Sequence, residues 1–182
     1  SIPNGQVDPK NEPYASMKHI GSGNIISWTG KVVNVKTALE AGQISGKYLF
    51  SESHILYSKV RPNLAKVCFP KYEGICSADI YPLKTNTKVV PEYLFQYLLS
   101  EKFTNLATVV SERTGMPKIN RQDLTVIKIP IPTISEQTKI ADLLSSIDKN
   151  IEDKQRKVEL TKSLKKSLMQ DLLTGKVRVP LQ

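Results

Sequence analysis

Residues suited to metal binding or to proton transfer near neutral pH are scarce in this chain, which holds two cysteines, Cys68 and Cys76, and two histidines, His19 and His54. Neither pair has the spacing of a zinc site or a redox motif, and two thiols do not make a disulfide scaffold. They are expected to be partly buried free thiols in a reducing cytoplasm. No run approaches the roughly 18 continuous apolar residues of a membrane helix, and nothing at the N-terminus resembles a signal peptide. A first residue of Ser1 rather than Met suggests a chain that is processed, tagged or cut from something longer. No glycine-rich stretch sits between a strand and a helix, so a Walker loop or a nucleotide-cofactor loop is excluded. A nuclease would need clustered carboxylates with a lysine. Glu73 and Asp79 near Lys71 and Lys84 come closest, with unconvincing spacing. The chain is therefore read as non-enzymatic, with no metal site.

What is abundant is positive charge. The 26 basic residues exceed the 17 acidic ones, for a net charge of +9 and a pI near 9.5. Such a surplus concentrates polyanions at the surface and makes their binding salt-dependent. It is unevenly spread: residues 1–134 carry 16 basic and 10 acidic side chains, and residues 135–182 carry 10 and 7. The front of the chain thus suits a polyanion, the back a protein partner.

The texture changes near Pro132. Before it, short apolar runs alternate with turn signals such as Ser22-Gly23-Asn24, Thr29-Gly30, Ser45-Gly46, Arg61-Pro62-Asn63 and Glu73-Gly74. Strands are expected at Lys31–Val35, Ile55–Val60, Ala65–Phe69, Ile80–Leu83 and Val126–Ile131, and a helix after Pro91 over Glu92–Leu99. Strands mixed with helices and lacking a βαβ rhythm indicate a compact α+β domain, residues 1–132.

From Ser135 to Leu173 there is neither proline nor glycine. Thr133 and Glu136 fit a capping box, and Gly175 stands where a C-cap is expected. Ile140, Leu144, Ile147, Ile151 and Val158 follow four-three spacing, with Leu164, Leu168 and Leu172 further on, while Lys154 and Thr161 interrupt the seam. This predicts a long helix, within residues 133–182, that pairs as a coiled coil with another long helix. The competing possibilities are a helix folded back on its own domain or broken near Glu152-Asp153-Lys154.

Two loops carry residues able to read or hold DNA. The first places Lys59, Arg61, Asn63 and Lys66 around a proline turn; the second, Ser111–Arg121, offers Arg113, Lys118, Asn120 and Arg121. Arginine can take guanine bidentately and asparagine adenine, while lysine readily holds phosphate. Arg61 and Asn120 are the expected base readers.

The run Leu124–Pro132, followed by Ser135-Glu136-Gln137 and Ile140–Asp148, resembles the junction between recognition domain and conserved helix in specificity subunits of type I restriction–modification systems. The ending Leu168-Met169-Gln170-Asp171-Leu172-Leu173-Thr174-Gly175-Lys176-Val177-Arg178-Val179 resembles the end of those helices. Ile55–Leu64, Gly74–Asp79 and Gly115–Asn120 are similar to one group of their recognition domains. The resemblance implies a cytoplasmic module that recognises double-stranded DNA and recruits type I methyltransferase and restriction subunits. S-adenosylmethionine, ATP and Mg are then expected only in those partners. Such subunits normally hold two recognition domains and two paired helices. One of each here implies either a half-subunit forming a homodimer through its helix or the C-terminal half of a longer subunit, pairing with a second half. A stand-alone dimeric DNA-binding regulator is the rival, and a pure coiled-coil scaffold a further one.

Overall fold

The computed structural model describes residues 1–2, 5–111 and 117–179. Seven strands, β1 (Lys18–Ile20), β2 (Lys36–Thr37), β3 (Lys47–Phe50), β4 (Ile55–Ser58), β5 (Val67–Cys68), β6 (Gly74–Ser77) and β7 (Ile80–Leu83), precede four helices. These are α1 (Pro91–Leu98), α2 (Glu101–Ser111), α3 (Arg121–Val126) and α4 (Ile134–Leu173). A single 3-10 turn, Pro62–Leu64, lies between β4 and β5. The chain forms two compact units, Ser1–Ala141 and Asp142–Gln182.

In the first unit the strands form two sheets, ordered β2-β1-β6-β3 and β5-β4-β7. All pairings are antiparallel except β1 with β6. The last of the chain's passages from one sheet to the other is the Ala78-Asp79 turn between β6 and β7. Side chains on a strand alternate between faces, and β4 uses both. Ile55 and Tyr57 join Leu98, Phe103 and Ala107 of α1 and α2 in one core. Leu56 joins Ile20, Phe50, Cys68, Cys76 and Ile80 in the other. Tyr57 meets Phe103 edge-on at 5.6 Å, the arrangement ring quadrupoles favour. Gly74 permits the parallel junction: a Cβ there would lie 2.6 Å from the Lys18 carbonyl oxygen and 2.8 Å from the Phe50 ring. Pro82, which cannot donate to a ladder, is placed on β7, an edge strand.

Two expected strands are not formed. Of Lys31–Val35, only Val32 makes a bridge, to Ile25. The Asn24 amide donates to the Val33 and Asn34 carbonyls at 3.0 Å each, holding them as a loop with Asn34 at φ 52°. Val126–Ile131 loses its start to α3, which Asn120 and Asp123 open with reciprocal caps. The remainder lies outside any ladder, its Pro130 carbonyl taken by the Tyr93 hydroxyl at 2.9 Å. The cysteines are fully buried rather than partly so. Burial pushes the Cys68 thiol up to about 12 and the Cys76 thiol higher still.

The α4 helix begins at the capping box. Glu136 N–H donates to Thr133 Oγ1 at 3.3 Å, and Thr133 N–H to the Glu136 carboxylate at 2.9 Å. The Thr133 hydroxyl, donating to the Glu136 carboxylate at 2.7 Å, and the Thr133 N–H hold that carboxyl below the usual range. Of its first two turns, Gln137 and Ala141 are buried in the front unit. The helix runs unbroken through Glu152-Asp153-Lys154 to Leu173, 40 residues or about 60 Å at 1.5 Å each. Gly175, at φ 72°, closes it. Every seam residue is exposed in the single chain, from Leu144 at 37% to Leu164 at 59%. Among the described residues, no helix is long and apolar enough to cross a membrane.

Candidate nucleic-acid interface

Strand β4 ends at Ser58, and the chain leaves it through Lys59, Val60 and Arg61. These residues pair with the far end of the second basic loop. Val60 bridges Lys118, Ile119 N–H donates to the Lys59 carbonyl at 2.9 Å, and Arg61 N–H to the Pro117 carbonyl at 2.9 Å. Two segments more than fifty residues apart are thereby joined by backbone hydrogen bonds. Buried Ile119 anchors the junction in the core that holds Tyr57 and Phe103.

Their side chains share one carboxylate. Asp79, in the turn between the sheets, has Lys118 Nζ at 3.4 Å and Lys59 Nζ at 3.7 Å. Beside them, the Tyr81 ring has Lys59 Nζ 5.3 Å and the Arg121 guanidinium 5.9 Å from its centroid. Desolvation raises the Tyr81 phenol above its ordinary range, and Arg121 opposes the shift. Two lysines sharing one aspartate leave a surplus, and exposed Arg61 adds to it, so the edge is electropositive.

The first loop is sharply bent. Arg61 stands at φ 51° and Ala65 at φ 43°, both left-handed, and between them buried Pro62 pins the turn while Asn63 is exposed. Positive φ is uncommon outside glycine, and strained residues cluster where a side chain must be presented at a fixed angle. The exposed Arg61 side chain is held by a short, rigid backbone on both sides.

Other expected contacts have structural duties. Half-buried Lys66 donates from Nζ to the Ser22 carbonyl at 2.6 Å, tying this loop to the Gly21–Asn24 turn. The Asn120 side-chain oxygen accepts from Asp123 N–H at 2.9 Å and starts α3. That oxygen is one of the two atoms a bidentate adenine contact requires. Arg113 lies outside the described residues. The structure therefore brings together Lys59, Arg61, Lys118 and Arg121, with Asn63 at the turn's tip.

A third element adjoins them that reads in the sequence as a bare turn. Residues 26–31 form the tip of a loop closed by the Ile25–Val32 bridge, and Trp28 N–H donates to the Ala65 carbonyl at 3.3 Å. The signal available in the sequence was the only tryptophan of the chain, next to Thr29-Gly30.

No group of three or more histidine, cysteine, aspartate or glutamate side chains able to hold a metal occurs among the described residues. The arrangement offers cations and amides on one edge of the domain, which is the chemistry of phosphate and base contacts.

Comparison with known proteins identifies the family of the chain. The family model described as "Type I restriction modification DNA specificity domain" matches residues 4–162. The chain is 42% identical over 127 residues to the type I restriction enzyme EcoDI specificity subunit of Escherichia coli, covering 70% of this chain and 28% of that protein. It is 48% identical over 120 residues to the putative type I restriction enzyme MjaX specificity subunit of Methanocaldococcus jannaschii, covering 66% and 28%. The HsdS subunit from Thermoanaerobacter tengcongensis superposes with a TM-score of 0.68 at 22% identity, covering 93% of this chain and 45% of that one. The chain belongs to the type I restriction–modification DNA specificity domain family. It spans under a third of these curated relatives and under half of the solved subunit.

Proposed function

We propose that this chain is a sequence-specific reader of double-stranded DNA in a type I restriction–modification complex. In this reading residues 1–132 recognise DNA, and residues 133–182 form a spacer and dimerisation helix with a short tail. The chain positions methyltransferase and restriction subunits on a bipartite target in the cytoplasm. It performs no catalysis; S-adenosylmethionine, ATP and Mg act in those partners. The observation that carries the reading is the backbone pairing of the two basic loops, residues 59–61 with 117–119, in a DNA specificity domain. Arg61 reads a base, Lys59 and Lys118 hold phosphates, and Asn63, Arg113 and Arg121 complete the contact surface, with Lys66 and Asn120 shaping the loops that present them.

The α4 seam supports the second half of the proposal. Its exposed aliphatic side chains are shielded when two long helices pair, either two copies of this chain or this chain with another half. Two copies would read a gapped palindrome, because a two-fold axis repeats the half-site.

The test is selection of duplexes from a randomised pool by the purified chain. A defined motif with salt-dependent affinity is expected. Arg61→Ala should relax one position of it by about 1–3 kcal/mol, or about 5- to 150-fold in discrimination. A pool recovered without any motif refutes sequence reading, and an equal loss on every sequence makes Arg61 a phosphate contact.

A further inference from the structure

We propose that Trp28 is an apolar contact to the DNA duplex, its indole packing on base and sugar edges beside the nucleotides that Arg61 and Asn63 face, so that the loop of residues 26–31 is a third recognition element. The proposal rests on the DNA-reading function given above.

Three observations carry it. The first is that an expensive residue is displayed where a cheap one would serve. Trp28 is 45% exposed and stands at φ 65°. Bulky side chains avoid that region, where glycine and asparagine are at ease. The neighbouring left-handed positions do use them, Gly30 at φ 72° in the same loop and Asn34 at φ 52° just beyond it. A turn needing only its backbone shape would not require an indole there. Strain of this kind marks positions where the side chain itself has a task.

The second is rigidity. Ile26 N–H donates to the Lys31 carbonyl at 2.9 Å, Thr29 Oγ1 to the Ile26 carbonyl at 3.1 Å, and Lys31 N–H to Thr29 Oγ1 at 3.1 Å. Gly30 packs so closely on α1 that a Cβ would come within 2.5 Å of the Phe95 ring. A loop fixed this firmly presents its ring at little further entropic cost on binding.

The third is position. Trp28 N–H is bonded to the carbonyl of Ala65, whose own N–H closes on Pro62 in the turn that carries Arg61 and Asn63. The loop that carries the indole is thus tied through its backbone to the turn that carries Arg61 and Asn63, and Ile26, 40% exposed, adds apolar surface to its tip. Beside cations, an aromatic body with one N–H donor suits thymine methyl groups and sugar edges. That surrounding charge favours a polyanion over an apolar protein groove.

Trp28 is the chain's single tryptophan, so its fluorescence reports on one residue. The experiment titrates the intact chain with the labelled duplex recovered from the selection. Anisotropy follows binding, and acrylamide quenching follows indole access. On saturation the quenching constant should fall about twofold or more. Unchanged quenching alongside clear binding overturns the role of Trp28 and leaves DNA reading intact; absence of any binding overturns both. Trp28→Asn suits the left-handed backbone and keeps the fold, and should weaken the selected duplex about tenfold against a scrambled one. Trp28→Phe should restore most of that loss. Equal discrimination by Trp28→Asn and the parent chain overturns the proposal, as does quenching protection conferred only by a methyltransferase subunit.

Discussion

Replacing Gln137 tests how the start of α4 is fastened to the front unit. Its side chain is fully buried, and one amide serves three backbone groups. Oε1 accepts from Val90 N–H at 2.8 Å, while Nε2 donates to the carbonyls of Lys88 at 3.0 Å and Pro132 at 2.8 Å. Val90 is the N-cap of α1, so the same side chain joins the beginnings of two helices. At about 1 kcal/mol net for each bond, and somewhat less than 1 kcal/mol for the lost methylene, Gln137→Ala should cost about 2–4 kcal/mol. Urea unfolding followed by circular dichroism at matched protein concentration measures it. Gln137→Glu keeps the shape and reverses the chemistry, turning two donors into an acceptor that faces two carbonyls. At pH 7 it should cost more than the alanine variant. Burial and those carbonyls favour the neutral acid, so the folded-state pKa of the introduced carboxyl rises above its unfolded value of about 4.3. The deficit relative to the parent chain should therefore shrink as pH falls through that raised pKa, where the protonated acid can donate once. A Gln137→Ala variant within about 0.5 kcal/mol of the parent, below the net value of even one such bond, or a Gln137→Glu deficit that grows on acidification, refutes the reasoning.

Three further outcomes are expected. Desolvation, aided by the Lys47 cation, lowers His19 to about 4. Its imidazole is neutral in the fold and binds a proton more readily when unfolded, so this contribution is present above pH 6.5 and is lost between about 6.5 and 4, to about 2 kcal/mol after allowing for partial solvent access. His19→Asn should flatten that part of the stability–pH curve, and an unchanged slope would remove His19 from the account. Cys68 and Cys76, buried and with raised pKa values, should react with Ellman's reagent only at the rate of unfolding; rapid labelling of the native chain would contradict their placement. Sedimentation of the chain should show mass rising with concentration, and Leu144→Lys with Leu168→Lys should abolish the rise without unfolding residues 1–141. A concentration-independent monomer would remove self-pairing.

Much of the architecture is readable because local and global signals coincide in it. The α4 helix has its caps, its proline-free interior and its periodicity written in contiguous residues, and its bounds follow from Thr133, Glu136 and Gly175. Ile80–Leu83 is a strand in both sequence and structure, since residue preference and turn signals agree there. The strands Lys18–Ile20 and Gly74–Ser77 are not legible. They are short, and what makes them strands is pairing with segments far along the chain, antiparallel to β2 and β3 and parallel to each other, which no window of sequence contains. The reverse error at Val126–Ile131 has a local cause, because β-branched residues favour strand while an asparagine–aspartate capping box just upstream nucleates a helix first.

The interface is legible as an inventory and not as a geometry. Cations around a proline turn can be singled out from composition alone, yet Lys66 and Asn120 look the same in sequence as Arg61. Only the fold shows that one holds a neighbouring turn and another caps a helix. Trp28 escapes sequence reading for a related reason: beside Thr29-Gly30 it reads as part of a turn, and only the fold shows its ring half exposed. The Ser135-Glu136-Gln137 run illustrates the opposite case. In the sequence it stands out as a family signature with no evident physical role for its glutamine, and the fold supplies that role. Glu136 caps α4, while Gln137 carries the hydrogen bonds of three backbone groups. In the proposed function, residues 133–182 act as a spacer between half-sites. The buried amide that joins α1, the Pro132 linker and the first turn of α4 then fastens the start of that spacer to the recognition domain. Its loss should therefore impair recognition of the paired half-sites before it impairs affinity for a single one.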